Sequence, residues 1–240
     1  MHSILKRLLP LFLLSSCLSI KYSGNKSAAV NKTIAANEET QGFIEPYKAE
    51  LAKSMNKFIA VFDTSYQKSK PNGNLNNLCA TLIHNHAQTK SEGAFIAFGV
   101  LNYGGLRASL PSDSIFVRNI YELSPFENNL VILELSPENC DSLFRYLKNR
   151  AQDPLSGLSI NQNTGKVLVL GAPYDSRRSY RFVTNDYMAN GGDGFGILMN
   201  PKYRKDLPIT MRDALLAQLK WEYRTYGLIK QRNKEVFIRE

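Results

Sequence analysis

Leu130-Val-Ile-Leu-Glu-Leu135 reads as a buried strand, and Ser136-Pro137 follows it at once. A short run rich in branched apolar residues suits a strand inside a covered sheet. Ser followed by Pro suits a helix N-cap and first turn, so a helix to about Arg150 is expected. The rest of the chain interleaves in the same way. Glu45-Pro46 is expected to open a helix to about Asn56, and Leu75 to Ala87 reads as another. Thr210-Met-Arg-Asp213 resembles a capping box starting a helix that ends near Gly227. Strands are expected at Phe58 to Phe62 and at Ala94 to Val100. Lys166 to Leu170 and Tyr180 to Thr184 are expected to pair as a hairpin across Ala172 to Ser179. No repeat is evident. Irregular alternation of this kind predicts a mixed α/β (α+β) domain with layered sheets.

The N-terminus carries a different pattern. Lys6 and Arg7 precede a short apolar core, Leu8 to Leu14, which is too short to span a bilayer. Leu14-Ser-Ser-Cys17 then has the apolar-small-small-Cys form of a bacterial lipobox. The expectation is a signal peptide over residues 1–16, a lipid on Cys17, a polar tether over 17–43 and one domain over 44–240. An ordinary cleaved signal with an incidental Cys is the plainer alternative. Acyl chains add roughly 0.8 kcal/mol of membrane affinity per buried methylene. Leu18-Ser19 lacks an Asp-type retention signal. The expected location is therefore the bacterial cell envelope, at the outer membrane facing the periplasm. No second long apolar run follows, so no transmembrane helix is expected.

The formal charge is +9, and loss of Lys6 and Arg7 with the signal leaves it positive. A basic surface suits anionic ligands or an anionic membrane face. There is no dense Lys/Arg stripe, only pairs such as Arg177-Arg178, so nucleic acid is not expected. Of three cysteines, Cys17 is assigned to lipid. Cys79 and Cys140 sit at helix-like apolar positions; two buried thiols is preferred over a disulfide, which an oxidising compartment would permit.

Several chemistries are excluded by residue supply. The chain has three His, and His2 falls within the signal. His84 and His86 are two apart on an expected helix, point to different faces and are read as surface residues. A dinuclear phosphoesterase centre or a zinc site needs more ligands than these. No G-x-S-x-G elbow and no Ser-His-Asp set can be assembled. Asn161-Gln-Asn163 lacks the carboxylates of a calcium loop. Gly191-Gly-Asp-Gly-Phe-Gly196 lacks the Lys-Ser/Thr of a P-loop. No catalytic residue and no metal ligand is assigned.

Two segments remain, Asn102-Tyr-Gly-Gly-Leu-Arg107 and Asn185-Asp-Tyr-Met-Ala-Asn-Gly-Gly-Asp-Gly-Phe195, with Pro125-Phe126 between them. Together they offer two aromatic faces, a guanidinium, a carboxylate and glycine-rich backbone. Those are the parts needed to hold a nucleoside or nucleotide. Each has a plainer reading alone: Phe126 as core, Tyr187 as a strand-end tyrosine, Asp193 as a turn residue.

Jointly, their spacing resembles the C-terminal, substrate-binding domain of the 5'-nucleotidase family, over roughly Ile44 to Phe237. The first segment matches Asn-x-Gly-Gly-Ile/Leu-Arg. Pro125-Phe126-Glu-Asn128-Asn-Leu-Val is a second match. Tyr187-Met-Ala-Asn190-Gly-Gly-Asp193-Gly-Phe195 matches Phe/Tyr-Leu-Ala-Asn-Gly-Gly-Asp-Gly-Phe/Tyr. Asn72-Gly-Asn74-Leu-Asn-Asn77-Leu is a degraded form of Glu-Ser-Asn-Leu-Gly-Asn-Leu. The resemblance implies a layered α/β/β/α fold. It implies that Phe126 and Tyr187 sandwich a base, preferably a purine, and that Asp193 accepts hydrogen bonds from ribose hydroxyls. Arg107 would reach toward ribose and phosphate, Asn102 toward the base or ribose edge. Gly104, Gly105 and Gly192, with Asn190 beside them, complete the implied substrate site.

The departures bear on phosphate. The family's Glu-Ser is Asn72-Gly73 here, and the Arg often found before it is Pro71. Lys68 or Lys70 would be a point-charge substitute without the planar fork of Arg. In full-length relatives a two-metal phosphoesterase domain precedes this one. The resemblance therefore implies no cofactor in this chain, with divalent metals held by a separate metallophosphoesterase partner. A nucleoside-binding lipoprotein without catalytic partner, or a purely structural envelope lipoprotein, is the alternative.

Overall fold

The computed structural model describes residue 31, residues 34–231 and residues 236–239. The expected signal, Cys17 and most of the tether lie outside these. The chain divides into two compact units at Pro46. Helix α1, Glu38–Met55, buries none of its residues. It begins earlier than expected, and Pro46 lies inside it. The reason is an N-terminal cap: Thr40 donates its N–H to Asn37 Oδ1 at 2.8 Å, and Glu38 and Glu39 occupy the first turn.

The second unit is a mixed α/β fold. Its strands are β1 (Phe58–Phe62), β2 (Phe98–Val100), β3 (Asp113–Phe116), β4 (Asn129–Leu135), β5 (Leu155–Ser156), β6 (Leu158–Asn161), β7 (Val167–Val169), β8 (Ala172–Pro173), β9 (Tyr180–Asn185), β10 (Tyr203–Thr210) and β11 (Phe237–Ile238). Its further helices are α2 (Asn74–Thr89), α3 (Val117–Leu123), α4 (Pro137–Arg150), α5 (Asp186–Ala189) and α6 (Met211–Tyr226). A five-stranded sheet runs in the order β10-β4-β9-β2-β5, and a four-stranded sheet in the order β11-β6-β7-β8. β1 and β3 form a separate antiparallel pair.

Strand alternation explains how one sheet serves two cores. Side chains of successive strand residues point to opposite faces. Leu130 and Ile132 of β4 enter one hydrophobic cluster with α2 and α6. Val131, Leu133 and Leu135 enter a second, shared by α4 and residues of the four-stranded sheet. Phe182 and Val183 of β9 divide in the same way. Cys79 belongs to the first cluster and Cys140 to the second, so the sheet separates them and both are free thiols. Burial pushes Cys79 up to about 12 and Cys140 up to about 11, which leaves both unreactive.

Two helix starts follow the sequence closely. Ser136 accepts a hydrogen bond from the Asn139 N–H, with Pro137 opening α4. Thr210 accepts from the Asp213 N–H, and α6 ends before Gly227. Three expectations need correction. The strand expected from Ala94 is confined to Phe98–Val100, because the Gln88 side chain takes the Ala94 carbonyl and the Ile96 N–H. The expected hairpin does not form. Leu170 and Gly171, both at positive φ, turn β7 straight back into β8, and β9 goes to the other sheet. His84 and His86 are not surface residues. His84 bridges Ser156 Oγ at 3.0 Å and the Ile96 carbonyl at 2.9 Å, and His86 is 7% exposed. They do leave α2 on different faces, but α2 is covered on both.

Among the described residues no helix is long and apolar enough to cross a membrane.

Candidate functional site

The central strands end where the glycine-rich segments begin. β2 delivers Asn102 and a single 3-10 turn, Tyr103–Gly105. β9 runs into α5 and a second such turn, Gly192–Gly194. β9 lies beside β2 in parallel, so both loops emerge at one end of the sheet. β4, antiparallel to β9, begins at that end, directly after Phe126. Three segments distant in sequence thus converge on a cleft of about 320 Å³ lined by Asn102, Gly104, Arg107, Phe126, Asn128, Tyr187 and Asp193.

Phe126 and Tyr187 are 45% and 43% exposed and line the cleft. Each is fixed from behind. The Phe126 loop is held by the start of α6. Arg212 donates to the Pro125 carbonyl and pairs with Glu127, and the Met211 N–H donates to Asn128 O at 2.7 Å. Tyr187 rests on Gly192: a Cβ there would lie 2.5 Å from the ring, so only glycine lets the ring sit where it does.

Asp193 is the polar centre. Its Oδ1 accepts from the Tyr187 hydroxyl at 3.0 Å, and its Oδ2 accepts from Asn102 Nδ2 at 3.1 Å. Asn102 Oδ1 in turn accepts from Asn185 Nδ2 at 3.0 Å, deep in the fold. The carboxylate is pre-oriented yet keeps lone pairs for a ligand, since two oxygens have about four acceptor positions. Asp193 itself is left-handed, with φ 52°.

Arg107 is exposed at the rim, and its Nη1 reaches the Gly104 carbonyl at 3.5 Å. Lys68 lies close by, donating to Leu106 O at 2.7 Å and sitting 4.2 Å from the Tyr103 ring centre. Lys70 is 4.9 Å from the same centre. Burial, then the charges of Arg107 and Lys70, hold the Lys68 ammonium below its usual pKa. No carboxylate is paired with any of the three cations among the described residues.

Three expected residues stand apart from the lining. Gly105 is buried beneath Asn102. Gly192 backs Tyr187. Asn190 ends α5, and its Oδ1 accepts from Arg204 at 2.8 Å, outside the cleft. Asn128, part of the Pro125-Phe126 motif but given no role by the sequence, does line it. The degraded segment is structural here. Asn72 Oδ1 accepts from the Val236 and Phe237 N–H groups, and its Nδ2 donates to Phe237 O at 2.8 Å. Asn74 and Asn76 stitch the loop before α2. Among the described residues no group of three or more His, Cys, Asp or Glu is placed to hold a metal ion.

Residues 50–200 match the model of the 5'-nucleotidase, C-terminal domain. The chain is 26% identical over 136 residues to Protein UshA of Yersinia enterocolitica, covering 53% of this chain and 24% of that protein. Among solved structures, the 5'-nucleotidase precursor from Thermus thermophilus superposes with a TM-score of 0.66 at 25% identity, over 84% of this chain and 42% of that one. The NAD nucleotidase of Haemophilus influenzae gives 0.63 at 17% identity, over 90% and 43%, a likeness of fold. The chain thus spans less than half the length of each of these proteins.

Proposed function

The chain belongs to the family of 5'-nucleotidase C-terminal domains, and on that footing we propose that its cleft binds a nucleoside or nucleotide, purines preferred. The observation that carries this is the meeting of Phe126, Tyr187, Asp193, Asn102 and Arg107, from three separate segments, around one cleft. Two half-exposed rings offer faces to a base, each worth on the order of 1–3 kcal/mol. Asp193 and Asn102 offer an acceptor and a donor in the same cleft, suited to ribose hydroxyls. Arg107, Lys68 and Lys70 place positive charge at the rim, where a phosphate would project. A charge-assisted bond there is worth roughly 1.5–3 kcal/mol.

These are recognition groups. The lining holds one carboxylate and no imidazole, so the metals and attacking water of phosphate-ester hydrolysis would come from a separate metallophosphoesterase to which this domain presents its substrate. Lipid attachment at Cys17 would hold the domain at the bacterial envelope, at the outer membrane facing the periplasm.

Calorimetric titration with adenosine and AMP tests the binding reading. Saturable heat that Tyr187→Ala weakens about five- to hundredfold is expected; no heat with either ligand rejects it and favours a structural lipoprotein. Hydrolysis tests the division of labour. The purified chain with added divalent metal is expected to leave AMP intact, and robust turnover by it alone would overturn the two-chain scheme.

A further inference from the structure

Asp193 is held by its carbonyl as well as by its carboxylate, and the groups that hold the carbonyl lie outside the cleft. The Tyr146 hydroxyl donates to the Asp193 carbonyl at 2.7 Å, and Arg150 Nη1 donates to the same oxygen at 3.1 Å. Arg150 also forks onto Asp153, Nε to Oδ2 at 2.8 Å and Nη2 to Oδ1 at 3.3 Å. Asp153 Oδ1 accepts the Tyr103 N–H at 3.1 Å. One guanidinium and one carboxylate therefore tie together the two turns that carry the cleft's polar groups. Asp153 is 1% exposed, and its three hydrogen bonds offset its desolvation.

We propose that Arg150 and Asp153, with Tyr146, are positioning residues that set ribose recognition in this cleft. The inference rests on the nucleoside-binding reading above and adds to it the residues that govern one part of the ligand. The physical need is local. Asp193 at φ 52° is followed by Gly194 at φ 80°, two left-handed residues in a row, a conformation that Asp tolerates better than most side-chain-bearing residues but still at a cost that these contacts offset. A Cβ on Gly194 would lie 2.5 Å from the Tyr146 oxygen, so the hydroxyl occupies the space that glycine leaves. The Arg150 guanidinium is itself confined, 5.4 Å from the Tyr146 ring centre and 5.3 Å from that of Phe195. With its carbonyl held by Tyr146 and Arg150 and its N–H by the Tyr187 oxygen, Asp193 is fixed on both sides of its Cα, which restricts the direction of the Cα–Cβ bond, and Tyr187 and Asn102 then orient the carboxylate. Phe126 and its loop lie apart from this brace, so the Phe126 face is separable from it, while the Tyr187 ring, tied to Asp193, is also held by its packing on Gly192.

The test compares adenosine with free adenine by calorimetric titration of the full chain, in wild type, Tyr146→Phe and Arg150→Lys. Tyr146→Phe removes only a hydroxyl, and Arg150→Lys cannot serve Asp153 and Asp193 together. The expected result is a wild-type preference for adenosine that shrinks several-fold in each variant, with adenine affinity falling less than adenosine affinity. A preference unchanged in both variants overturns the proposal. So does a parallel loss of adenine affinity, which is what a merely structural role would give. Wild type that binds adenine and adenosine equally rejects ribose reading by Asp193 and leaves base binding standing; wild type that binds neither rejects the nucleoside reading and this inference with it.

Discussion

Tyr187 and Asp193 hold each other twice: the phenol donates to Asp193 Oδ1 at 3.0 Å, and the Asp193 N–H donates back to the phenol oxygen at 3.2 Å. The ring that would stack on a base is thereby the same group that orients the carboxylate. Two substitutions separate the roles. Tyr187→Phe keeps the ring face and is expected to weaken adenosine about two- to tenfold, the value of one hydrogen bond. Tyr187→Ala removes the face as well and is expected to cost about five- to hundredfold. Equal losses in calorimetric titration would mean that the ring face contributes nothing.

Gly192→Ala is expected to reproduce the larger loss without touching a ligand. Its Cβ would lie 2.5 Å from the Tyr187 ring and must push it into the cleft. Gly192 is not at positive φ, so the backbone itself accepts alanine. The thermal midpoint should stay near wild type while adenosine binding falls; unchanged binding would show that the ring has room to retreat.

The rim charges predict a phosphate effect. Lys70 and Arg107 are exposed beside Lys68, whose ammonium is held below its usual pKa by burial and by those two charges. An anion among them relieves that repulsion. Lys70→Ala is expected to weaken AMP about two- to fivefold and to leave adenosine unchanged, with the difference vanishing at high salt. Titrating both ligands at low and high ionic strength checks this, and equal effects on the two would place the phosphate elsewhere.

Asn72 predicts stability without function. It makes three hydrogen bonds to the backbone of Val236 and Phe237 and lines no part of the cleft. Asn72→Ala leaves those groups unpaired and is expected to cost about 1–3 kcal/mol in urea unfolding, with adenosine affinity unchanged. A loss of binding at full stability would return Asn72 to the site.

What the sequence made legible was the part written in local chemistry. Phe126, Tyr187 and Asp193 stand out because their segments match the spacing of the 5'-nucleotidase C-terminal motifs, though each alone has a plainer reading, and the caps at Ser136 and Thr210 depend on neighbours three residues away. The rest depends on partners far along the chain. Nothing near Tyr180 says that β9 will choose β4 and β2 over β7, since all are apolar runs. Arg150 and Asp153 look like an exposed helix end until α4 is laid behind Asp193. The spacing of His84 and His86 does put them on different faces of α2, but a helix covered on both faces leaves neither at the surface.

That burial has a pH consequence. Burial holds His84 below the ordinary histidine value of 6.5, against the opposing effect of its bond to Ile96 O; burial and Lys90 do the same to His86. The folded protein therefore resists a proton that the unfolded chain accepts. Well above pH 6.5, from about pH 7.5 upward, neither state is protonated at these sites and they contribute no pH dependence. As pH falls below 6.5 the unfolded chain binds protons first, and stability drops by at most about 1.4 kcal/mol per pH unit for each histidine. The loss levels off below the folded values. Urea unfolding between about pH 7.5 and pH 5 is expected to show this decline, with a shallower slope in His84→Gln, whose amide can still reach one of the two partners. Lower absolute stability in that variant does not affect the test, because the slope alone reports the proton. A slope identical to wild type would mean that His84 titrates alike in both states, and that its bonds to Ser156 and Ile96 open readily in the native protein.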